Sequence, residues 1–189
     1  MTRNTLLPCC LLLFTLLTAC ARLPTHDAPL PATSKSSVVV FDIDGTLTPR
    51  PLSLYGARPD AARVARWYSE NGYTVVYLTA RMAWLQRGIP GWLQRNGFPQ
   101  GELHTAQDSE DGKHPDIYKA RVLAKYRARG WAFEAAYGDS STDFQAYAAA
   151  GIEKSRIFAL ARVGQTQCQT GAWQRCLQGW TEQLTVLQK

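Results

Sequence analysis

The sequence predicts an α/β protein built on a five-stranded parallel sheet with helices on both faces. Two observations predict this class. Residues 38–41 form a continuous apolar run rich in valine, which is typical of a strand buried on both faces. A helical pattern and a second apolar run at residues 73–78 follow within forty residues. A strand, a helix and a strand over this length form a right-handed crossover between parallel strands.

Length and composition fit one globular domain. The chain has 189 residues, of which 46% are hydrophobic and 19% charged, so it can bury a single core and is not expected to be disordered. The formal net charge of +6 suits attraction to an anionic membrane surface. No run of Lys and Arg interleaved with aromatic residues stands out, so we expect no nucleic-acid partner. We expect a monomer.

The amino terminus has the pattern of an export signal. Arg3 precedes an apolar stretch at residues 6–19, which is shorter than the ~20 residues of a membrane-spanning helix. Residues 17–20, Leu-Thr-Ala-Cys, resemble the bacterial lipobox. This resemblance implies that residues 1–19 are removed, that Cys20 carries lipid, and that the protein lies in the cell envelope. Ala21 after the Cys implies the outer membrane, facing the periplasm. Cleavage without lipidation and an uncleaved anchor remain alternatives.

Residues 20–37 are interpreted as the lipidated Cys and a semi-rigid tether. Pro24, Pro29 and Pro31 stand there among polar residues, with no apolar periodicity. The folded domain is therefore expected to span residues 38–189.

Further helices and strands alternate along that domain. Helices are predicted at residues 58–71 and 115–129 and before Gly151, and the remaining strands at residues 102–105, 133–137 and 156–160. Trp84 and Trp92 lie in an interrupted helical stretch and are predicted to be packing residues. Residues 161–189 form a Gln-rich tail with Cys168 and Cys176. In an exported protein these two are predicted to form a disulfide, with free thiols as the alternative.

Paired acids follow the first strand. Residues 38–48 read VVVFDIDGTLT, so Asp42 and Asp44 stand two apart at the carboxyl end of a buried strand. Like charges so close repel unless a cation relieves them, and carboxylate oxygens are ligands that Mg²⁺ prefers. Gly45 permits a turn whose amides could hold a phosphoryl group. The alternative interpretation is an ordinary capped turn.

A second acidic pair follows the fourth strand. Asp139 and Asp143 stand four apart after Gly138, and Thr79 ends the second strand. In open parallel sheets, ligands bind at the carboxyl ends of the strands. These positions are therefore expected to share one site.

In this order, the stretches resemble the motifs of the haloacid dehalogenase superfamily of aspartate-nucleophile phosphatases. The resemblance implies a Rossmann-like fold in which Asp42 is the nucleophile and Asp44 the acid and base. It implies that Thr79, a Lys and the amides from Ile43 to Gly45 bind phosphate. Lys119 is favoured as the motif lysine, with Lys113 as the alternative.

The same resemblance implies a Mg²⁺ site. Its ligands would be Asp42, the backbone carbonyl of Asp44 and Asp139, with Asp143 in support.

A closer resemblance covers residues 38–160. DIDGTLT, YLTAR, AAYGDSSTDFQAYAAAGI and SRIFAL are similar to the carboxy-terminal domain of the lipins, the Mg²⁺-dependent phosphatidate phosphatases. The chain departs in carrying Asp139 where lipins usually have Asn, and in lacking the amino-terminal lipin domain. The resemblance implies a phosphorylated lipid such as phosphatidate as substrate. Alternatives are small soluble phosphomonoesters, or a non-catalytic lipid-binding module.

The spacing between the motifs leaves no room for a large cap domain. Residues 49–78 and 80–112 are consumed by short elements, whereas a folded cap would need ~50 or more residues. The site is therefore expected to be open.

Overall fold

The computed structural model describes residues 37–189, so the predicted signal peptide, Cys20 and most of the tether lie outside the described residues. The strands are β1 (Ser37–Asp42), β2 (Thr74–Thr79), β3 (Glu102–Thr105), β4 (Ala132–Gly138), β5 (Ile157–Leu160) and β6 (Arg175–Leu177). The helices are α1 (Ala61–Glu70), α2 (Ile89–Arg95), α3 (Ser109–Lys113), α4 (Pro115–Ala128), α5 (Ser141–Ala149) and α6 (Trp180–Leu187). The α/β class is confirmed.

All six strands pair in parallel, in the order β3-β2-β1-β4-β5-β6. The chain winds outward from β1 to β3, crosses back to β4, and winds outward again to β6. At such a reversal the loops after neighbouring strands diverge and leave a crevice at their carboxyl ends. The carboxyl ends of β1 and β4 therefore border the place where a ligand is expected.

The two faces of the sheet are covered by different helices. Val39 and Phe41 of β1 pack in a core with α1, α2 and α6, whereas Val38 and Val40 pack in a second core with α4 and α5. This alternation follows from the two-residue period of a strand. A continuous apolar run is needed here because both faces of β1 are buried.

The prediction of five strands was wrong, because the tail adds a sixth. Residues of β6 pair with β5, and α6 then returns to the core beside β1. Trp180 packs against Phe41 with ring centroids 5.7 Å apart, and its indole N–H donates to the carbonyl of Thr46 over 2.9 Å. A three-residue strand is too short to show a two-residue period, so the sequence pattern does not predict β6.

Short connections leave the carboxyl edge of the sheet uncovered. Within the described residues, β1 and β2 are joined by one loop and α1, and β2 and β3 by a single 3₁₀ turn and α2. A cleft of about 260 Å³ opens there, lined by Asp42, Asp44, Lys119 and Asp139 among others. Between residues 37 and 189, no helix has the length and apolar character needed to cross a bilayer.

Candidate active site

A tight turn after β1 presents the first acidic pair. The carbonyl of Ile43 accepts hydrogen bonds from the amides of Leu47 and Thr48, each over 3.0 Å. Gly45 has a φ of +83°, and a Cβ atom there would lie 2.4 Å from Oδ2 of Asp139. Glycine is therefore required at this position both by the backbone conformation and by the approach of the β4 loop.

The turn also occupies one of the amides predicted to bind phosphate. The N–H of Gly45 donates to Oγ1 of Thr48 over 3.0 Å, and the same hydroxyl donates to the carbonyl of Ile43 over 3.1 Å. A phosphoryl oxygen would have to replace the hydroxyl of Thr48 to use the Gly45 amide.

Three buried carboxylates meet at the base of the cleft. Asp42, Asp139 and Asp143 each offer an oxygen within 4.8 Å of the others. Burial raises the pKa of Asp42 well above its usual range and the charge of Asp143 adds to this, outweighing the opposite effect of Lys119. Burial and the charge of Asp143 likewise raise the pKa of Asp139. The cluster is therefore short of positive charge.

Lys119 joins the two acidic pairs. Its ammonium group is buried and donates to Oδ1 of Asp42 over 2.5 Å and to Oδ1 of Asp143 over 2.6 Å. Burial lowers the pKa of Lys119, but the charges of Asp143 and Asp42 raise it by more than burial lowers it. The net shift is upward, so the amine stays protonated. Lys113 is exposed and pairs with Glu110 over 2.6 Å. The structure thus places Lys119, and not Lys113, at the site.

The second acidic pair is fixed by the start of α5. Oδ2 of Asp143 accepts from the hydroxyl of Ser140 over 2.8 Å and from the amides of Ser140 and Asp139 over 3.1 and 3.2 Å. The hydroxyl oxygen of Ser140 in turn accepts a hydrogen bond from the amide of Asp143, which completes a capping box. Both oxygens of Asp143 therefore accept hydrogen bonds, which fixes this carboxylate within the cluster.

One oxygen in the cluster lacks a partner. Oδ2 of Asp42 is buried and accepts no hydrogen bond from any of residues 37–189. A buried polar atom left in this way is unusual and calls for an absent group. Several carboxylates around a bare oxygen are the donor set that a hard divalent cation takes. The residues present therefore fit a Mg²⁺ ion.

Asp44 faces away from the cluster, toward the end of β2. Arg81 holds both of its oxygens, through Nη2 to Oδ1 and through Nε to Oδ2 over 3.3 Å. Thr79 donates to Oδ2 and the amide of Leu52 to Oδ1, each over 2.7 Å. Burial raises the pKa of Asp44, but the hydrogen bonds and charge of Arg81 lower it more, so the net shift is downward. Thr79, predicted to bind phosphate, binds Asp44 in this structure.

Comparison with known proteins identifies the family. Residues 39–161 match the family described as PITM 1-3, LNS2 domain. The chain belongs to the LNS2 domain family.

Curated relatives of this LNS2 domain fall into two groups. Protein retinal degeneration B of Drosophila melanogaster is 32% identical over 67% of the chain, and human Membrane-associated phosphatidylinositol transfer protein 3 is 32% identical over 69%. Phosphatidic acid phosphohydrolase 1 of Saccharomyces cerevisiae is 28% identical over 68%. The matches cover 10%, 14% and 19% of these proteins' own lengths, so the chain spans a small part of each.

Three arginines complete the LNS2 site, and the motifs alone did not predict their contacts. Arg81 is buried, and its guanidinium group binds the carboxylate of Asp44. Nε of Arg162 donates to Oδ2 of Asp139 over 2.6 Å, and Arg58 donates to the carbonyl of Gly45 over 3.0 Å. A signal for Arg162 existed, because an Ala-Arg pair follows both β2 and β5.

Two further predictions concern residues outside the cleft. The predicted disulfide between Cys168 and Cys176 is present in the tail. Trp92 is buried as a packing residue, but Trp84 is 63% exposed, so the packing role predicted for Trp84 was wrong. Trp84 lies in a 3₁₀ turn in the loop after β2, where its ring has no core to join.

Proposed function

We propose that this LNS2 domain is a Mg²⁺-dependent phosphomonoester hydrolase of the haloacid dehalogenase superfamily that uses Asp42 as a covalent nucleophile. The observation that carries this proposal is the bare Oδ2 of Asp42. It lies at the base of an open cleft, while Lys119 binds the other oxygen of the same carboxylate. A carboxylate fixed by one oxygen presents the other in a defined direction, as a nucleophile requires.

The reaction divides into two displacements. In the first, Oδ2 of Asp42 attacks phosphorus, the bond from phosphorus to the ester oxygen breaks, and that oxygen takes a proton from Asp44. In the second, Asp44 takes a proton from water as the water attacks phosphorus. The bond from phosphorus to Asp42 then breaks and inorganic phosphate leaves. Two easier steps replace one difficult hydrolysis.

The contacts of Asp44 suggest how it becomes an acid. Thr79 and Arg81 now bind its carboxylate, and both can donate to phosphoryl oxygens. A phosphoryl group that takes over these donors removes the contacts that lower the pKa of Asp44. Its carboxyl group is then free to hold the proton that the leaving oxygen needs.

Oδ1 of Asp42, Asp139 and the backbone carbonyl of Asp44 would hold Mg²⁺, with Asp143 fixing their positions, so that Oδ2 of Asp42 is left for the attack on phosphorus. When bound, the ion supplies charge that offsets the carboxylates and the phosphoryl oxygens. Lys119 adds a fixed positive charge beside the nucleophile, and Arg162 orients Asp139.

The proposed substrate is a phosphorylated lipid such as phosphatidate. The yeast relative is named as a phosphohydrolase of phosphatidic acid, and the human relative as a membrane-associated transfer protein for a phospholipid. The open cleft suits a phosphate that is presented from a bulky aggregate. Small soluble phosphomonoesters are the alternative within the same chemistry.

We extend the proposal to the amino terminus, where residues 1–19 would be an export signal and Cys20 would carry the lipid that holds the protein in the cell envelope. The lipobox-like residues 17–20 support this. Mass spectrometry of the mature amino terminus tests it, because an unmodified Cys20 or cleavage elsewhere would contradict it.

A second candidate function is lipid binding without catalysis. The chain is 32% identical to the human phosphatidylinositol transfer protein and 28% identical to the yeast phosphohydrolase, and this difference favours lipid binding. The presence of both Asp42 and Asp44 in a formed site favours catalysis.

Trapping the covalent intermediate decides between the two. The chain is mixed with phosphatidate and Mg²⁺, quenched in acid, digested and analysed by mass spectrometry. Hydrolysis with a phosphoryl group on Asp42 supports the proposal. Hydrolysis with no modified Asp42 would contradict the covalent mechanism, and phosphatidate binding with no hydrolysis would support the second candidate.

A further inference from the structure

The large apolar side chains that the described part of the chain exposes to solvent are concentrated at one edge. Seven are at least 46% exposed, and six of these follow the carboxyl ends of strands. We call these six the apolar rim: Leu52 and Tyr55 after β1, Met82 and Trp84 after β2, Ile117 in the first turn of α4, and Val163 after β5. Val186, near the end of α6, is the seventh.

Contacts place three members of the apolar rim beside residues of the cleft. The amide of Leu52 binds Asp44, and Met82 follows Arg81, which binds the same carboxylate. Val163 follows Arg162, which lines the cleft. The loops after β1 and β2 also touch each other, because a Cβ atom on Gly88 would lie 3.2 Å from Leu54. The loops that carry most of the exposed apolar groups therefore border the cleft.

Scattered exposed apolar residues are ordinary, but a set gathered around one functional opening indicates an interaction surface. The most exposed members are aromatic: Tyr55 is fully exposed and Trp84 is 63% exposed. Tyr and Trp favour the interface between a bilayer and water, where the ring contacts acyl chains and the polar group stays hydrated.

The charges along this edge distinguish the loops after β1 and β2 from the rest of the apolar rim. Residues 45–59 and 80–101 contain no Asp or Glu, while Arg50 and Arg87 are exposed among them. The acidic residues of this edge, such as Asp108 and Glu110, lie instead on the β3 side. Basic residues beside exposed aromatic rings are typical of surfaces that bind anionic lipid headgroups.

We propose that the loops after β1 and β2 dock this chain on an anionic phospholipid bilayer, with Tyr55 and Trp84 entering the interfacial region. A bilayer suits this surface because a fluid interface accepts separate side chains on several loops. It also brings lipid phosphates to the cleft mouth, whereas a folded protein covering the same loops would close it. The proposal rests on the proposed function for what the cleft does once the chain has docked.

Hydrogen exchange tests docking independently of turnover. The full chain carrying Asp42→Asn is incubated with phosphatidylcholine vesicles, with and without phosphatidate, and its amide exchange is followed by mass spectrometry. We expect exchange of residues 50–56 and 82–87 to slow severalfold with the anionic vesicles, while exchange of the α6 region is unchanged. The amino-terminal segment is the same in every sample. Unchanged exchange in both loops would overturn the proposal.

Kinetics with a matched control supply the second readout. The double variant Tyr55→Ser/Trp84→Ser should lower kcat/KM for phosphatidate in vesicles about tenfold, because burial of apolar area contributes to binding. Its kcat/KM for p-nitrophenyl phosphate should stay within about twofold, because neither side chain contributes to the cluster of carboxylates. Val186→Ser, which removes an exposed apolar side chain outside the apolar rim, should change neither value.

The outcomes separate docking from catalysis. An equal loss on both substrates, or no loss on vesicles, would overturn the role of the apolar rim. If the parent chain hydrolyses neither ester, the proposed function fails, and hydrogen exchange still decides whether the loops dock.

Discussion

Lys119 is the residue on which the two acidic motifs depend. Its ammonium group bonds to Asp42 of β1 and to Asp143 of α5, and all three side chains are buried. Breaking a buried ion pair on one side leaves uncompensated charge, which costs far more than losing a surface pair. We therefore expect Lys119 to contribute to stability as well as to the proposed chemistry.

Lys119→Met should lower the free energy of unfolding by about 3 kcal/mol in the absence of Mg²⁺, because two buried carboxylates would then face each other. Turnover should fall at least about a hundredfold, because the charge beside the nucleophile is lost. Urea unfolding in EDTA and phosphate release measure the two effects. Lys113→Met is the control and should change stability by less than about 0.5 kcal/mol, since its ion pair is exposed. Equal effects of the two variants would refute the role given to Lys119.

Gly45→Ala should combine backbone strain with a clash, because φ is +83° and the new Cβ would lie 2.4 Å from Asp139. Gly72 is a matched control, with the same φ of +83° and nothing within 4 Å of an added Cβ. Gly72→Ala should cost about 1 kcal/mol of stability with no loss of turnover, since only left-handed strain is added. Gly45→Ala should cost more and also weaken Mg²⁺ binding, as measured by titration of activity. Equal Mg²⁺ affinity in both variants would show that Asp139 is not a ligand.

At the scale of elements, the tail completes the sheet and one of its cores. The Cys168–Cys176 disulfide ties the loop after β5 to β6, Trp180 packs against Phe41 of β1, and Leu177 is buried in the same core. Gly171 also packs closely on α5, since a Cβ there would lie 2.5 Å from the ring of Phe144. The tail is therefore part of the folded domain.

Replacing both cysteines, Cys168→Ser/Cys176→Ser, should lower the free energy of unfolding by roughly 2–3 kcal/mol, because the short loop that they close no longer restricts the unfolded chain. Denaturant unfolding measures the change. Dithiothreitol should destabilise the parent by a similar amount and leave the double variant unaffected. A parent chain insensitive to the reductant would contradict the contribution given to the disulfide.

The elements that could be predicted are those whose local pattern is long enough to read. The first five strands have four to seven residues, all but β3 are mainly apolar, and four of the five end near a residue of the site. β6 has three residues and no such pattern. A signal for α6 was present in Trp180, Leu184 and Leu187, which share a helical face, but the surrounding Gln-rich composition hid it.

The site shows the same limit. Asp42, Lys119, Asp139 and Asp143 meet as the motif order suggested, because the carboxyl ends of parallel strands converge. The binding of Asp44 by Arg81 could not be predicted, since it depends on side-chain directions across two strands. The spacing of the motifs predicts which residues lie at the carboxyl edge of the sheet. The packing of the side chains determines which of those residues bind each other.

At the scale of the whole molecule, the cleft is open and its mouth carries the apolar rim. We therefore expect kcat/KM for phosphatidate in mixed micelles to exceed that for soluble esters such as nucleotides. The comparison uses one preparation with Mg²⁺ present throughout. A preference for the soluble esters of tenfold or more would show that the proposed lipid substrate is wrong.

The most direct test of the central claim is the rate of phosphate release from phosphatidate by the parent chain and by Asp42→Asn, each with Mg²⁺ and with EDTA. We expect turnover by the parent only with Mg²⁺, and a loss of about ten thousandfold or more in Asp42→Asn with the fold intact by circular dichroism. Asp116→Asn, in the first turn of α4 and outside the acidic cluster, should keep parental activity. Activity of Asp42→Asn near the parental level would contradict the role of Asp42 as nucleophile. Equal parental rates with Mg²⁺ and with EDTA would contradict the dependence on Mg²⁺.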